Sequence, residues 1–424
     1  MKRPPLFAAL LVALLALAAG QAQALDRDGR LVDAESGAPI ADGVVTVGAR
    51  EARLGTGARF HIRGAPGRIA FRAPGYRRTS LTAAEFARAE GIVRLVPFTP
   101  RGLYLTVYGI GSERLRGGAQ SIIAAGGANA LVIDLKGDRG IVPYPSAVPL
   151  ARTTPGVRKV TTIPDLPALV RELHVSGIYV IGRIVTFKDD PIARARPDLA
   201  VLRGTSLYRD GEHLGWTDPF EAEVRRYNIA LAAEAASAGV DEIQFDYLRF
   251  PDSSAKLNFA QPSIQATRVA AIAGFLAEAR QALIPFNVFI AADIFGYVCW
   301  NTDDTGIGQR LEELAPHVDY LSPMLYPSGY RWGIPGIRNP VANSYAIVHE
   351  SLTQAQRRLG MSPKRFRPWL QAFRDYGFDH RAFDADEVAD QIRAAEDFGA
   401  NGWMLWNANN LYSDAGLVAK RPGR

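Results

Sequence analysis

Two aspartates stand directly after apolar segments, Asp246 after the run EIQF and Asp293 after the run FIAA. A carboxylate among apolar residues is costly unless it is paired or used in chemistry. Hydrolysis of a glycosidic bond requires two carboxyl groups in one cleft: one protonates the leaving oxygen, and the other attacks the anomeric carbon or activates water. A neighbouring negative charge would keep the acid protonated near neutral pH. We therefore predict Asp246 and Asp293 as catalytic residues, with a structural pair of Asp246 with Arg249 or Arg183 as the alternative.

Other polar and aromatic side chains occupy comparable positions at the ends of apolar segments or in the loops that follow them. Aromatic faces there could stack on sugar rings, although core packing is the alternative for any one of them. Asp134 and Asp138 could hold a cation, or support Lys136 or substrate hydroxyls. The predicted substrate-binding residues are Tyr104, Asp134, Lys136, Arg183, Trp216, Gln244, Arg249, Tyr326, Gln371 and Trp406.

Competing chemistries have little support. The six histidines form no His-x-His or His-x-x-x-His pair, so we predict no metal site. The single cysteine, Cys299, has no evident histidine partner and is interpreted as a small buried side chain. The chain has neither a Gly-x-Ser-x-Gly elbow nor a glycine-rich phosphate loop, and we predict no cofactor.

Apolar strand-like runs alternate with amphipathic helical stretches beyond Pro100, a pattern typical of a parallel sheet covered by helices. Eight such units predict a (β/α)8 barrel. An open doubly wound sheet is the competitor, but the first strand lacks the glycine fingerprint of a dinucleotide site. The predicted strands are 102–108, 130–135, 179–187, 242–250, 286–295, 318–326, 368–373 and 402–407, and predicted helices include 165–176, 219–238, 264–282, 341–359 and 386–398.

This fold explains why the selected side chains would meet, because barrel enzymes form their sites at the carboxyl ends of the strands. Side chains alternate along a strand, so Gln244 and Asp246 share one face. The connection from Phe187 to Pro219 is longer than usual and is predicted to be a lid or a substrate wall, with a solvated decorative loop as the alternative.

The N-terminus has the pattern of a signal peptide over residues 1–24. Lys2 and Arg3 precede an apolar run, and the small-residue triplet AQA follows it. A retained membrane anchor is the alternative, but the run is shorter than the roughly 20 residues that span a bilayer. We predict export to the periplasm or the medium without membrane insertion after cleavage. Cleavage leaves 47 basic and 43 acidic residues without charged runs, so nucleic acid is not a predicted partner.

Residues 25–98 consist of short β-prone runs separated by glycine and proline, which predicts a small all-β sandwich. The segments GRLVD at 29–33, SGAPI at 36–40 and APGY at 73–76 resemble the carboxypeptidase regulatory-like family, which has a transthyretin-like fold. The resemblance implies an accessory spacer or docking module without catalytic residues.

Eight segments carry a second resemblance: 187–191, 196–200, 216–227, 238–251, 292–296, 322–327, 367–373 and 402–406. By these segments, residues 101–412 resemble a bacterial family described as a "putative glycosyl hydrolase domain", distantly similar to α-amylase-like barrels. The resemblance implies Asp246 as nucleophile and Asp293 as acid/base in a retaining mechanism, although strand five of those barrels carries Glu where this chain has Asp. We predict an exported glycoside hydrolase acting on an envelope or extracellular poly- or oligosaccharide. A noncatalytic saccharide-binding barrel is the alternative, and the oligomeric state is left open. Residues 413–424 are predicted to be a tail.

Overall fold

The structure is a computed structural model that describes residues 25–64 and 67–417. The predicted signal peptide lies outside the described residues, and the predicted tail is described only as far as Leu417. The chain divides into two compact units. One unit runs to Ala73 and resumes over Arg77–Pro97, and the other comprises Pro74–Tyr76 and the chain from Phe98 onward.

The first unit contains a three-stranded sheet in the order β4-β1-β7 and a four-stranded sheet in the order β3-β2-β5-β6. The rings of Phe60 and Phe71, one from each sheet, lie 5.3 Å apart and both pack on Phe86. Phe86 belongs to a helix that the all-β prediction missed, although Thr82 and Glu85 form a capping box at its start. The elements are β1 (Leu25–Asp33), β2 (Val44–Val47), β3 (Arg50–Arg53), β4 (Arg59–Gly64), β5 (Arg68–Arg72), β6 (Thr79–Thr82), α1 (Ala83–Arg88) and β7 (Ile92–Leu95).

The second unit is a closed barrel of eight parallel strands in the order β8-β9-β10-β13-β14-β15-β16-β17, so the predicted fold class is confirmed. Except for the second strand, each strand begins later than the sequence predicts, ends earlier, or both. The fourth strand, for example, ends at Asp246 because Tyr247 adopts a left-handed backbone with φ of 46°. The barrel strands are β8 (Arg101–Leu105), β9 (Ala130–Lys136), β10 (Tyr179–Val185), β13 (Glu242–Asp246), β14 (Phe289–Phe295), β15 (Tyr320–Met324), β16 (Trp369–Gln371) and β17 (Trp403–Trp406).

Helices cover the outside of the barrel. The segment Gln265–Phe286 is, by length and composition, apolar enough to cross a membrane. In this fold its residues Ile272, Phe275 and Leu276 are buried in the hydrophobic core. The helices are α2 (Glu113–Ala124), α3 (Pro149–Thr153), α4 (Leu166–Val175), α5 (Asp190–Ala195), α6 (Ala222–Ser237), α7 (Gln265–Leu283), α8 (Leu311–Leu314), α9 (Ser344–Leu359) and α10 (Ala385–Phe398). The connection before α6 also carries a hairpin of β11 (Leu202–Arg203) and β12 (Ser206–Leu207).

The faces of the fourth strand alternate as predicted. Phe245 points outward and meets the ring of Phe275 on α7 at 5.0 Å. Gln244 points inward, where its amide approaches Ser322 and Met404 across the barrel. Polar side chains inside the barrel therefore come from alternate positions of each strand.

A buried ion pair lies at the amino end of the strands. Arg367 Nη1 donates to both carboxylate oxygens of Glu242, at 2.8 and 2.6 Å, and neither side chain is exposed. Asn401 accepts two further hydrogen bonds from the guanidinium, and Tyr179 donates to Glu242 at 3.1 Å. The ring of Tyr320 lies 3.9 Å from the guanidinium carbon. At this end of the barrel interior, one cation and one carboxylate therefore balance each other's charge and have hydrogen-bond partners.

Candidate active site

Arg183 lies at the centre of the opposite, carboxyl end of the barrel and is completely buried. Its Nε and Nη2 donate to Asp246 Oδ2 at 2.9 and 2.7 Å. Nη1 donates to Asp134 at 2.6 Å, and Nη2 also donates to Asp138 at 2.7 Å. One guanidinium therefore gathers three carboxylates from the ends of β9 and β13 and the loop after β9.

Asp246 is held on both of its carboxylate oxygens. Oδ2 accepts the two hydrogen bonds from Arg183, and Oδ1 accepts from the backbone N–H of Tyr247 at 2.5 Å. Tyr247 itself has a left-handed backbone, which is unusual for a bulky residue. The predicted alternative of a pair with Arg183 is therefore present, but it lies within the candidate site and not away from it.

Asp293 extends from the neighbouring strand β14 and is fully buried. Trp369 Nε1 donates to its Oδ1 at 2.8 Å, whereas its Oδ2 has no hydrogen-bond partner among the described residues. Burial, and next the negative charge of Asp246, raise the pKa of Asp293 well above its usual range, and Arg183 opposes this only in part. The two predicted catalytic carboxyls thus influence each other directly, as the sequence analysis expected of neighbouring strands.

Tyr104, Asp134 and Trp406 form one wall of the site. Tyr104 donates to Asp134 Oδ2 at 2.7 Å, and its ring stacks on Trp406 with a centroid distance of 4.0 Å. Arg183 lies over the ring of Trp406 at 4.8 Å. Burial is the main reason that the pKa of Asp134 rises to about 7, and the charge of Asp138 adds to it while Arg183 lowers it. All of these residues except Asp138 were predicted as site residues.

Asp138 belongs to the Arg183 cluster but was not predicted as a site residue from the sequence. A third of its side chain is exposed, more than for Asp134 or Asp246, and it caps the outer side of the Arg183 guanidinium. The sequence signal was its spacing from Asp134, which we interpreted as a possible cation site. The structure places the guanidinium of Arg183 between the two carboxylates. Among residues 25–64 and 67–417, no group of three His, Cys, Asp or Glu side chains could hold a metal ion.

Two predicted substrate-binding residues lie in other networks. Lys136 turns outward because the register of β9 with β10 shifts between Arg183 and Ile184. Its ammonium donates to the Thr186 carbonyl, Asp189 and Asn228 in a fully buried network. Gln371 donates from Nε2 to the Ser328 hydroxyl and the Phe373 carbonyl, and its Oε1 accepts from the Ser328 N–H. These hydrogen bonds join the loops after β15 and β16. Neither side chain belongs to the Arg183 cluster.

Gln244 lies deeper in the barrel than the carboxylate cluster. Its Nε2 donates to Ser322 at 3.2 Å, while its Oε1 has no partner within the described part of the chain. Ser322 is also the register partner of Asp293 between β14 and β15. Gln244 therefore supports the floor beneath the site through Ser322.

Comparison with known proteins gives the family. A family model described as "putative glycosyl hydrolase domain" matches residues 102–412, which are well over half of the chain. The chain belongs to this family. No match was found among curated proteins.

Two solved structures illustrate how far the similarity extends. A hypothetical protein from Ruminiclostridium thermocellum ATCC 27405 is 37% identical over 45% of this chain and 96% of that one, with a TM-score of 0.39. The PgaB (BpsB) glycoside hydrolase domain from Bordetella bronchiseptica is 15% identical over 76% of this chain and 96% of that one, with a TM-score of 0.54. The second likeness establishes a shared barrel fold.

Within the glycosyl hydrolase domain, the long connection after β10 forms a second wall. Trp216 packs against Tyr247 with ring centroids 5.8 Å apart and donates from Nε1 to Asp210. Arg249 lies over both rings, at 5.0 and 5.3 Å. Lys188 lies over the Tyr247 ring and pairs with Asp210. The connection thus braces the residue whose N–H holds Asp246, and Trp216 itself is buried.

Exposed aromatic side chains surround the mouth of the domain. Tyr108, Trp332 and Tyr376 follow β8, β15 and β16 and are 52%, 79% and 63% exposed. Tyr326 lies closer to the centre: burial, then the charges of Asp246 and Asp293, raise its pKa well above the usual range. Tyr376 was not among the predicted site residues, and its only signal in the sequence was an aromatic residue in a loop after a strand.

Proposed function

We propose that the barrel hydrolyses glycosidic bonds of an envelope or extracellular poly- or oligosaccharide. The proposal rests on one observation: Asp246 and Asp293 are neighbouring carboxyls in different surroundings. Asp246 is paired with Arg183 and accepts a hydrogen bond from the Tyr247 N–H, while burial and the charge of Asp246 raise the pKa of Asp293 well above its usual range. Glycoside hydrolysis uses two carboxyls in such different surroundings, one as the acid and the other as the nucleophile or base, and the family description is in accord with this assignment.

In the proposed reaction the Oδ2 proton of Asp293 passes to the glycosidic oxygen as the bond from that oxygen to the anomeric carbon breaks. Asp246 attacks the anomeric carbon, or takes a proton from the water that does so. In the first case water then displaces Asp246 from the anomeric carbon and gives one proton to Asp293; in the second case the proton taken by Asp246 returns to Asp293 through solvent. In both cases the other proton of the water stays in the new hydroxyl. The stacked pair of Tyr104 and Trp406 supplies an aromatic face against which a sugar ring can lie.

The test is product release from a panel of bacterial exopolysaccharides, peptidoglycan and α- and β-glucans by the purified protein. Asp246→Asn and Asp293→Asn are each expected to slow cleavage by about 100-fold or more, because each removes a proton-transfer or nucleophilic group. Asp252→Asn is the matched control, since Asp252 is exposed and lies six residues beyond Asp246. Asp138→Asn tests whether the more exposed carboxylate acts in place of Asp293. Retained folding is checked by thermal melting.

Noncatalytic saccharide binding is the second candidate, and a specific observation favours it. The Asp293 oxygen that has no partner in the described ranges is buried, and both oxygens of Asp246 already accept hydrogen bonds. A wild-type protein that binds a glycan from the panel but releases no product from it would support this candidate and contradict hydrolysis. Cleavage abolished by both Asp→Asn changes would exclude it.

Export is a part of the proposal supported by the sequence of residues 1–24 alone. The protein recovered from the periplasm or medium is expected to begin at Leu25, which N-terminal sequencing would show. A protein retained in the cytoplasm with residues 1–24 intact would contradict export. The first unit is proposed to act as a carboxypeptidase regulatory-like spacer or docking module.

A further inference from the structure

A small cavity, here called the side pocket, opens next to the candidate catalytic pair between the loops after β14, β15 and β16. Its volume is about 90 Å³. One water molecule of the liquid takes up about 30 Å³, so the side pocket has room for about three non-hydrogen atoms. It can hold a substituent of a sugar but not a sugar ring. Its side-chain lining is Phe295, Tyr297, Met324, Tyr326, Tyr330 and Tyr376.

The side pocket shares a wall with the catalytic centre. Phe295 lies two residues beyond Asp293 on β14. Tyr326 lies close enough to Asp246 and Asp293 for both charges to act on its phenol. A substituent in the side pocket would therefore belong to the sugar whose glycosidic bond lies at the two carboxyls, or to the next sugar.

The side-chain walls are apolar except at four tyrosine hydroxyls, two of which already have protein partners. The hydroxyl of Tyr297 donates to the Gly333 carbonyl and accepts from the Trp332 N–H, and the hydroxyl of Tyr330 is bonded to Ser351. The hydroxyls of Tyr326 and Tyr376 have no protein partner in the described ranges. The side pocket thus combines aromatic faces with phenolic O–H donors that remain available.

We propose that the side pocket binds an acetyl group carried by the saccharide, so that the substrate of the proposed hydrolysis is an acetylated glycan. An acetyl group has three non-hydrogen atoms: its methyl group suits the ring faces, and its carbonyl oxygen accepts from a phenol. A hydroxyl would leave the ring faces without contact. A primary ammonium would have to lose its water of hydration against largely apolar walls, which is costly for a charged group. This inference rests on the proposed function, because it takes the neighbouring carboxyls as the site of cleavage.

The test uses four sugars that differ at single positions: N-acetylglucosamine, glucosamine, glucose and 6-O-acetylglucose. Binding to the wild-type protein is followed by NMR titration. At least one acetylated sugar is expected to bind about tenfold more tightly than its unacetylated counterpart, the order expected for one buried methyl group and one hydrogen bond. The N-acetyl and O-acetyl arms decide which linkage the side pocket accepts.

A variant that fills the side pocket provides the second arm. A Cβ atom built at Gly329, which also lines the pocket, meets only the Tyr376 hydroxyl, at 3.7 Å. Gly329→Leu is therefore expected to fold, to lose the tenfold preference for the acetylated sugar, and to leave binding of the unacetylated sugars unchanged. Gly118→Leu, on α2 with open space around it, is the matched control. Thermal melting confirms that both variants are folded.

Equal binding of acetylated and unacetylated sugars, absence of binding by all four, or an unchanged preference in Gly329→Leu would overturn the acetyl pocket. The outcome is separable from that of the proposed function. Cleavage of an unacetylated polysaccharide without any acetyl preference would overturn this inference and leave hydrolysis standing. An acetyl preference lost in Gly329→Leu, without cleavage of any glycan, would support the side pocket and count against hydrolysis.

Discussion

The two ends of the barrel interior each contain a buried arginine, but they differ in the balance of charge around it. At the amino end of the strands, Arg367 faces one carboxylate, Glu242, and Asn401 completes its hydrogen bonds. At the carboxyl end, Arg183 faces three aspartates, with Asp293 beside them. The charges of Arg367 and Glu242 balance at the amino end, whereas carboxyl groups outnumber cations in the Arg183 cluster at the carboxyl end.

This difference in charge balance suits the amino end to stabilising the barrel and the carboxyl end to acid–base chemistry. A matched and hydrogen-bonded buried pair is costly to break, so the Arg367 cluster closes the barrel without needing a ligand. An excess of buried carboxylates is tolerated only if one of them keeps its proton, and Asp293 and Asp134 both have raised pKa values. This is the condition that acid–base catalysis requires, at the end where barrel enzymes form their sites.

The largest effects are expected from substitutions that remove one carboxylate at each end of the barrel interior. Glu242→Gln leaves Arg367 buried without its counter-charge and should lower the free energy of unfolding by about 3–5 kcal/mol, measured in urea. Asp246→Asn leaves Arg183 paired with Asp134 and Asp138, so the free energy of unfolding should change by only about 1 kcal/mol, while cleavage slows by about 1000-fold. The comparison fails if Glu242→Gln abolishes the activity of the folded fraction, or if Asp246→Asn unfolds the protein.

Asp134 sharpens the comparison through pH. Its pKa of about 7 in the folded protein exceeds the value of about 3.9 for an unfolded chain, so the folded state holds more protons between these values. The stability that Asp134 contributes is therefore present below about pH 4 and is lost as the pH rises to about 7. Relative to Asp134→Asn, the wild type should lose up to about 1.4 kcal/mol per pH unit over that window. Parallel urea-unfolding profiles of the two proteins from pH 4 to pH 8 would contradict this.

Asp293→Asn should stabilise the protein although it abolishes activity. The raised pKa of Asp293 means that folding above about pH 4 is accompanied by uptake of a proton that the unfolded chain has released. Asparagine avoids this uptake, so the free energy of unfolding of Asp293→Asn should exceed that of the wild type at pH 7, with the gain disappearing towards pH 4. Loss of stability at pH 7 would show that Asp293 is ionised in the folded protein.

The smallest effect is expected at the exposed rim of the carboxyl end. Trp332 is 79% exposed, and its ring makes a cation–π contact with Arg331 at 5.2 Å. Trp332→Ala should leave stability unchanged and raise KM for a polymeric substrate about fivefold, because one stacking surface is lost. Val175→Ala is the control, since Val175 is 90% exposed at the opposite end of the barrel. Equal KM values for the two variants would remove Trp332 from the substrate path.

Much of this molecule could be predicted from its sequence. The eight strands and the positions of Asp246 and Asp293 follow from local periodicity and from the rule that parallel strands end at one face. Register could not be predicted, and the shift beside Arg183 turned Lys136 away from the cluster. The role of Asp138 was also missed, because only the fold brings its carboxylate to the arginine of the next strand.

The sequence by itself determined which residues can carry charge, which runs form strands and helices, and which family the barrel resembles. These properties depend on residues close together in the chain. Only the tertiary structure decided that Arg183 would gather three aspartates, that one oxygen of Asp293 would have no hydrogen-bond partner among the described residues, and that a pocket of about 90 Å³ would open beside them. Burial and charge proximity set the protonation of these groups, and both come from contacts between distant parts of the chain.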